Sequence, residues 1–300
     1  MWLEGLKDMV WHYTSMSVLQ ELMKPGSKLY ATHTSFVNDT QECRLATKAS
    51  ATYVSLLCNL WRGALEVPSE EEVVKDVNGG ELAPRFITCF SRSGDRLSQW
   101  RGYAPENGCS IGIDFDELRN SLLPSLCYPS KIDLADCVYK SAQELKEQIV
   151  GFSDEANHIH KMSNTMMDTF FTVGVEYSEE EREEKHKLRK AFELAVDNAA
   201  ARAFASMFWK HKAFIEEEEV RLAILYDGGL PTRDIEVIGG VPRVGVRLKT
   251  PIRALLREVV IGPGPDMARN VLVARALCLK YGLKICIRES EIPFSGVFKR

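Results

Sequence analysis

Residues 208–226 read FWKHKAFIEEEEVRLAILY, and the organisation of the rest of the chain turns on how this stretch folds. It begins where a long amphipathic helix ends and takes on strand chemistry from Phe214. Successive side chains of a strand point to opposite faces. Val220, Leu222, Ile224 and Tyr226 therefore form an apolar face, while Glu217, Glu219 and Arg221 line up on the other. Neighbours on one face sit roughly 6–7 Å apart at about 3.3 Å rise per residue. Charges that run straight into the apolar AILY are costly to place unless they face a cleft. The competing reading is a solvated strand end.

Working outward, the preceding helix is capped by Ser178-x-x-Glu181 and carries Leu188, Phe192, Val196, Ala199, Ala203 and Met207 on one stripe. Further upstream, RFITCFS (85–91) and CSIGIDF (109–115) read as strands, with LSQWRGY (97–103) in the loop between them. MVWHY is a first strand and KLYAT (28–32) a second. Between them Ser17-x-x-Gln20 caps the short helix VLQELMK, which Pro25-Gly26 stops. Asp39-x-x-Glu42 and Ser69-x-x-Glu72 cap two more helices, and Asn38-Asp39 makes a turn. Between 116 and 177 the pattern gives a strand at 134–139 and helices at 141–152 and 155–172. Downstream, short strands fall at 235–238 and 244–249, followed by REVVIGPG, the helix ARNVLVARALCLKYG and the strand LKICIRES. Such an order makes a right-handed parallel crossover. Its Gly262-Pro263-Gly264 loop is too sparse for a dinucleotide fingerprint. The expectation is one α+β domain over 1–300, with a mostly helical insertion at about 116–210.

Composition bounds the class. Three hundred residues at 45% hydrophobic content supply a sizeable core. A net charge of −4 gives no global field toward nucleic acid or membrane, leaving only a local basic groove open. No apolar run approaches a membrane span, and the N-terminus has neither an n-region nor an h-region. The eight cysteines form no CxxC pair and no zinc-like cluster. They read as reduced thiols, so a cytoplasmic protein is expected.

Several segments occur in a telling order: HYTS with VLQELM, LYATHTSFVNDTQE, FITCFS with LSQWRGYAPENGCSIGIDF, KAFIEEEEVRL, and EVVIGPG with ICIRESEIPF. Together they resemble the bacterial domain of unknown function 2971 family, a label that states no activity. A His-aromatic pair on a first strand, an aromatic on a second and Glu-x-Glu on a late strand are more distantly similar to the ADP-ribosyltransferase fold. That resemblance implies a split, mixed β-sheet holding NAD in a cleft as the substrate. It implies His12 at the adenosine-side ribose, with Tyr30 or Phe36 as the second-strand aromatic. Glu219 is implied at the ribose whose bond breaks, and Glu217 toward the nucleophile on the acceptor. The chain departs from the pattern in lacking a Ser-Thr-Ser triplet.

The chemistry makes its own demands. Breaking the nicotinamide–ribose bond builds positive charge on the ribose, which a fixed carboxylate stabilises. Arg221 beside Glu219 would keep that carboxylate ionised; its bland counterpart is a strand-face ion pair. Tyr13, Tyr30, Trp100 and Tyr103 are aromatic candidates for covering the ligand or for core packing. Arg92 and Arg101 are candidates for a pyrophosphate, and His12 otherwise reads as a satisfied core histidine. Two further classes compete with an NAD-cleaving transferase or glycohydrolase acting toward a protein, nucleic-acid or other acceptor. One is a non-catalytic binding module. The other is a metal-dependent nuclease built on Asp114 and Glu219-Val-Arg221, for which arginine is a poor substitute for lysine.

Overall fold

The computed structural model describes residues 8–37, 85–104, 108–124, 130–144, 147, 158, 178–226 and 235–293. The expected helices after Asp39 and Ser69 and most of those at 141–172 lie outside the described residues. Among the described ones, a ten-stranded mixed sheet runs in the order β12-β11-β4-β1-β3-β2-β10-β9, with β8 on the other edge of β3 and β5 beyond β8. The strands are β1 (Met9–Thr14), β2 (Tyr30–His33), β3 (Arg85–Ser91), β4 (Cys109–Asp114), β5 (Ser130–Asp136), β8 (Glu219–Tyr226), β9 (Ile235–Ile238), β10 (Val241–Gly245), β11 (Leu256–Ile261) and β12 (Cys286–Glu289). A separate parallel pair joins β6 (Val138–Lys140) to β7 (Trp209–His211).

The pairing of β3 shapes the cleft. β3 pairs along its whole length with β8 on one edge. Its other edge is divided. β1 meets it only at Trp11↔Ser91, and β2 only at Thr32↔Ile87 and His33↔Phe86. Between those points β1 and β2 diverge, and the sheet forks. Side chains and backbone bridge the gap: His12 Nδ1 lies 3.0 Å from the Cys89 carbonyl, and Thr88 Oγ1 donates to the Tyr30 carbonyl at 2.9 Å.

The strands bury apolar residues on both faces. Val220, Leu222, Ile224 and Tyr226 join Val10, Phe86, Phe90 and Ile111 in the main core, with the helices α1 (Met16–Met23), α5 (Ile252–Leu255) and α6 (Met267–Tyr281) packed on it. The opposite face of β8 packs Ala223 and Leu225 against Met207 and Phe208 at the end of α4 (Glu179–Ala205). Ser178 and Glu181 form the expected capping box, with Glu181 N donating to Ser178 Oγ at 3.2 Å and Ser178 N to Glu181 Oε2 at 2.7 Å. At α1 the cap is Ser15 in place of Ser17: its Oγ accepts from Val18 N, and Ser17 bonds Ser15 instead. The C-terminal unit is the expected crossover, with β11 and β12 parallel around α6.

Three local expectations need correction. Residues 214–217 are not strand: Lys212–Glu217 is a 3₁₀ turn, and Glu218 adopts φ 43°, so the strand starts at Glu219. LSQWRGY is a helix, α2 (Leu97–Tyr103), and not a loop. Within 116–210, after α3 (Phe115–Ser121), β5 pairs with β8 over its full length, so this region contributes a strand to the main sheet.

Candidate functional site

A cleft of about 370 Å³ opens at the fork, in the lower part of the range of small-molecule sites. His12, Tyr13, Tyr30, Phe36, Tyr103, Glu217 and Glu219 all line it, together with Thr32, Thr88, Cys89 and Arg243. These residues, from His12 to Arg243, lie up to about 230 positions apart in the chain and meet because β1, β2, β8 and β10 all flank β3 or its neighbours.

Register says how each side chain arrives. Paired residues share a face, so Trp11, Ser91 and Glu219 point one way. Tyr30, Thr32, Ile87, Cys89 and Arg243 follow the same alternation. His12, one residue past Trp11, belongs to the opposite face. It lines the cleft only because the sheet is open there and its ring bonds β3 across the gap. A ligand touching both His12 and Glu219 must thread the fork.

Burial dominates His12 and lowers its pKa; the bond with the Cys89 carbonyl works against this, and the nearby Arg243 charge adds to the lowering. In the neutral ring Nδ1–H donates to Cys89, which leaves Nε2 as an acceptor.

The opposite wall is a charged cluster. Lys210 Nζ, on β7, donates to Glu217 Oε2 at 2.6 Å and Glu219 Oε2 at 2.5 Å. Arg221 Nε donates to Glu219 Oε1 at 2.6 Å, and Nη2 to Oε2 at 3.2 Å. Arg221 also ties down the Met207 carbonyl at 2.9 Å. The side chains of Lys210 and Arg221 are each 2% exposed and that of Glu219 is 4% exposed, whereas that of Glu217 is 17% exposed. Burial alone raises the Glu219 pKa, but Arg221 and Lys210 outweigh it, with hydrogen bonds from Arg221 and Cys89, and bring it down to about 2. Burial pulls Lys210 down, and the Glu219 and Glu217 carboxylates override it and hold the ammonium well above the ordinary lysine range.

The two glutamates therefore differ from the sequence expectation. Both Glu219 oxygens are engaged from within the protein. Glu217 is tied through Oε2, with the Tyr103 hydroxyl at a long 3.4 Å, and its Oε1 has no protein partner among the described residues. The bend at Glu218 lets two residues that are not strand neighbours converge on one lysine.

Other expected site residues stand elsewhere. Trp100 is wholly buried, packs edge-on to Tyr13 with centroids 4.7 Å apart and donates Nε1–H to Asp95 at 2.7 Å; it is core, not ligand cover. Tyr13 reaches the cleft wall, but its hydroxyl is spent on the Ser93 carbonyl and the Arg96 amide. Arg101 lies in a separate groove with Arg96, Leu97, Ser98 and Glu216. Arg92 is held bidentate by Asp136 and stacks on Phe115 at 4.4 Å. Asp114 caps α3 through the Glu117 amide at 2.8 Å and does not line the cleft. Tyr30 lines it, with its hydroxyl donated to Glu236 at 2.8 Å.

Sequence reasoning missed Lys210 and Arg243. Nothing in WKHK or VPRVG marks either one; both matter only through the strands they are set against. Among the described residues there is no group of three or more His, Cys, Asp or Glu side chains placed to hold a metal ion, and no helix is long and apolar enough to cross a membrane.

A family model described as "Protein of unknown function (DUF2971)" matches residues 99–222, which supports the relationship expected from the segment order. The match takes in Tyr103, Lys210, Glu217, Glu219 and Arg221, and leaves His12, Tyr30 and Arg243 outside it. No curated protein and no solved structure matches the chain significantly, so the ADP-ribosyltransferase resemblance gains no support from either comparison.

Proposed function

We propose that the cleft binds NAD and cleaves its nicotinamide–ribose bond, transferring ADP-ribose to water or to an acceptor. The observation that carries this reading is the meeting of His12, Tyr30 and the Glu217–Glu219 pair around one opening in a forked sheet.

In the reaction the C1′–N bond breaks, its electron pair leaves with neutral nicotinamide, and positive charge develops on the ribose. A preorganised carboxylate is the group such a step needs. Glu217 fits that role better than Glu219, because it lines the cleft with Lys210 pinning Oε2 and no protein partner on Oε1 among the described residues. Glu219 is then a positioning residue, locked by Arg221, which holds Lys210 and through it Glu217. The nucleophile forms the new bond to C1′ and gives up its proton, for which the Glu217 carboxylate is the nearest base by this arrangement. His12, neutral and fixed through Nδ1, presents Nε2 to a ligand hydroxyl.

The nuclease reading loses its second carboxylate, since Asp114 serves α3. One observation favours a binding module instead. Lys210 and Arg221 balance Glu217 and Glu219, so the wall carries no net charge.

The test is nicotinamide release from NAD, followed by chromatography, with calorimetric binding of NAD alongside. The wild-type chain is expected to release nicotinamide, and Glu217→Gln to lose release by about 10²–10³-fold while still folding. Binding without release selects the binding module. Neither binding nor release sinks the NAD reading, and full release by Glu217→Gln removes Glu217 from the chemistry.

A further inference from the structure

The acidic wall is only one end of the cleft. Arg243 stands at the other, on β10, which follows β2 in the sheet. Its register partners are Thr32 on β2 and Glu236 on β9. Glu236 is the obvious counter-ion, yet its oxygens are taken by Lys28 Nζ and the Tyr30 hydroxyl, each at 2.8 Å. Arg243 makes no ion pair among the described residues, and its buried Nε has no hydrogen-bond partner. A buried donor left unpaired is uncommon and calls for an explanation. A guanidinium is also the side chain best shaped for bidentate contact with phosphate oxygens. Thr32, lining the same cleft, adds a hydroxyl donor.

We propose that Arg243 is the anchor of an anion subsite, and that the cleft takes a phosphate-bearing nucleotide with its phosphates at β10. This deepens the reading above and rests on it for the identity of the other end. The geometry suits a ligand with opposite character at its two ends. From β10 to β8 there are three strand spacings, roughly 14 Å, with Arg243 and His12 lining one side of the cleft and Glu217 the other. A lone small anion cannot span that distance; a nucleotide can. Arg92 and Arg101, the arginines that sequence alone offers for a pyrophosphate, are placed outside the cleft.

The test is calorimetric titration of the full chain with inorganic pyrophosphate, ADP-ribose and nicotinamide riboside, in the wild type and in Arg243→Gln. Pyrophosphate and ADP-ribose should bind the wild type, with affinity falling as salt rises. Their dissociation constants should increase by roughly 10–100-fold in Arg243→Gln, the range expected for losing a charged hydrogen-bonding partner. Binding of nicotinamide riboside, which has no phosphate, should be unchanged. Should Arg243→Gln not fold, Arg243→Lys keeps the charge without the fork and is expected to weaken both phosphate ligands while still binding them. Equal affinities in wild type and variant, or no binding of pyrophosphate and ADP-ribose by the wild type, overturns the subsite. Failure of the two proposals can be told apart. Pyrophosphate binding that depends on Arg243, in a chain that never cleaves NAD, keeps the subsite and removes the glycosidic reading. NAD cleavage with an unchanged KM in Arg243→Gln does the reverse.

Discussion

Lys210→Met is the substitution whose consequences the structure sets most tightly. It removes one positive charge from a buried set of two cations and two carboxylates and leaves Glu217 and Glu219 facing each other around an apolar side chain. The fall of the Glu219 pKa from its usual 4.5 to about 2 corresponds to about 3 kcal/mol of preference for the charged form, supplied by Arg221 and Lys210 together. Breaking a buried pair by deleting one partner costs about 3–5 kcal/mol, because the remaining charge is left uncompensated. A loss of that size is expected at neutral pH. The sign of the pH dependence follows from the depressed carboxylate. In the wild type its contribution is present above about 4.5 and disappears as pH falls through about 2. In the variant the carboxylate pair takes up a proton at higher pH, so the deficit against wild type should shrink on going from pH 7 to about pH 5. Urea unfolding of both proteins at the two pH values reads this directly, provided the slope m is unchanged. A deficit below about 1 kcal/mol, the scale of an exposed salt bridge, or one that is the same at both pH values, refutes a buried, coupled cluster.

Other perturbations test other parts of the fold. Trp100→Ala should cost about 3–5 kcal/mol in urea unfolding, as a buried indole leaves a cavity; a loss under about 1 kcal/mol contradicts its place in the core. Gly94→Ala puts a methyl 2.4 Å from the Trp11 ring and should destabilise by about 1–3 kcal/mol. Gly102→Ala, on α2 with open space around it, should instead gain about 0.5–1 kcal/mol; the same sign for both contradicts the packing. Burial lowers the His12 pKa below its usual 6.5, so the unfolded chain takes up that proton first and stability declines as pH falls from about 6.5 toward the folded-state value. His33 acts in the same direction. In His12→Gln the decline between about pH 7 and pH 5 should flatten without vanishing, and an unchanged slope means His12 is not buried neutral.

How much of this was legible in the chain varies element by element. RFITCFS matches β3, the Ser178–Glu181 box closes as read, and the C-terminal strand, helix and strand pair in parallel. Each is a local pattern whose cause lies within a few residues: β-branched content, a cap, a hydrophobic period. The FWKHKAFIEEEE stretch was readable only in part. A run of charge before AILY marks a boundary, but alternation carried one turn too far placed Glu217 on the strand. The bend at Glu218 depends on what the turn packs against. Trp100 stays open between ligand cover and core in the sequence for a related reason. An aromatic beside a glycine looks exposed until Tyr13, Asp95 and Val260 close around it.

The sequence by itself determined the elements, their order, the apolar face of β8 and the presence of carboxylates beside it, because these follow from periodicity and side-chain chemistry over short spans. Only the tertiary structure decided that β1 and β2 share one edge of β3 and so open the sheet. It also decided that Lys210 binds both glutamates, that Glu219 is locked while Glu217 keeps an oxygen with no protein partner among the described residues, and that Arg243 faces the same cleft. Those relations join residues up to about 230 positions apart, and strand pairing at about 4.8 Å, not sequence distance, is what brings such groups together.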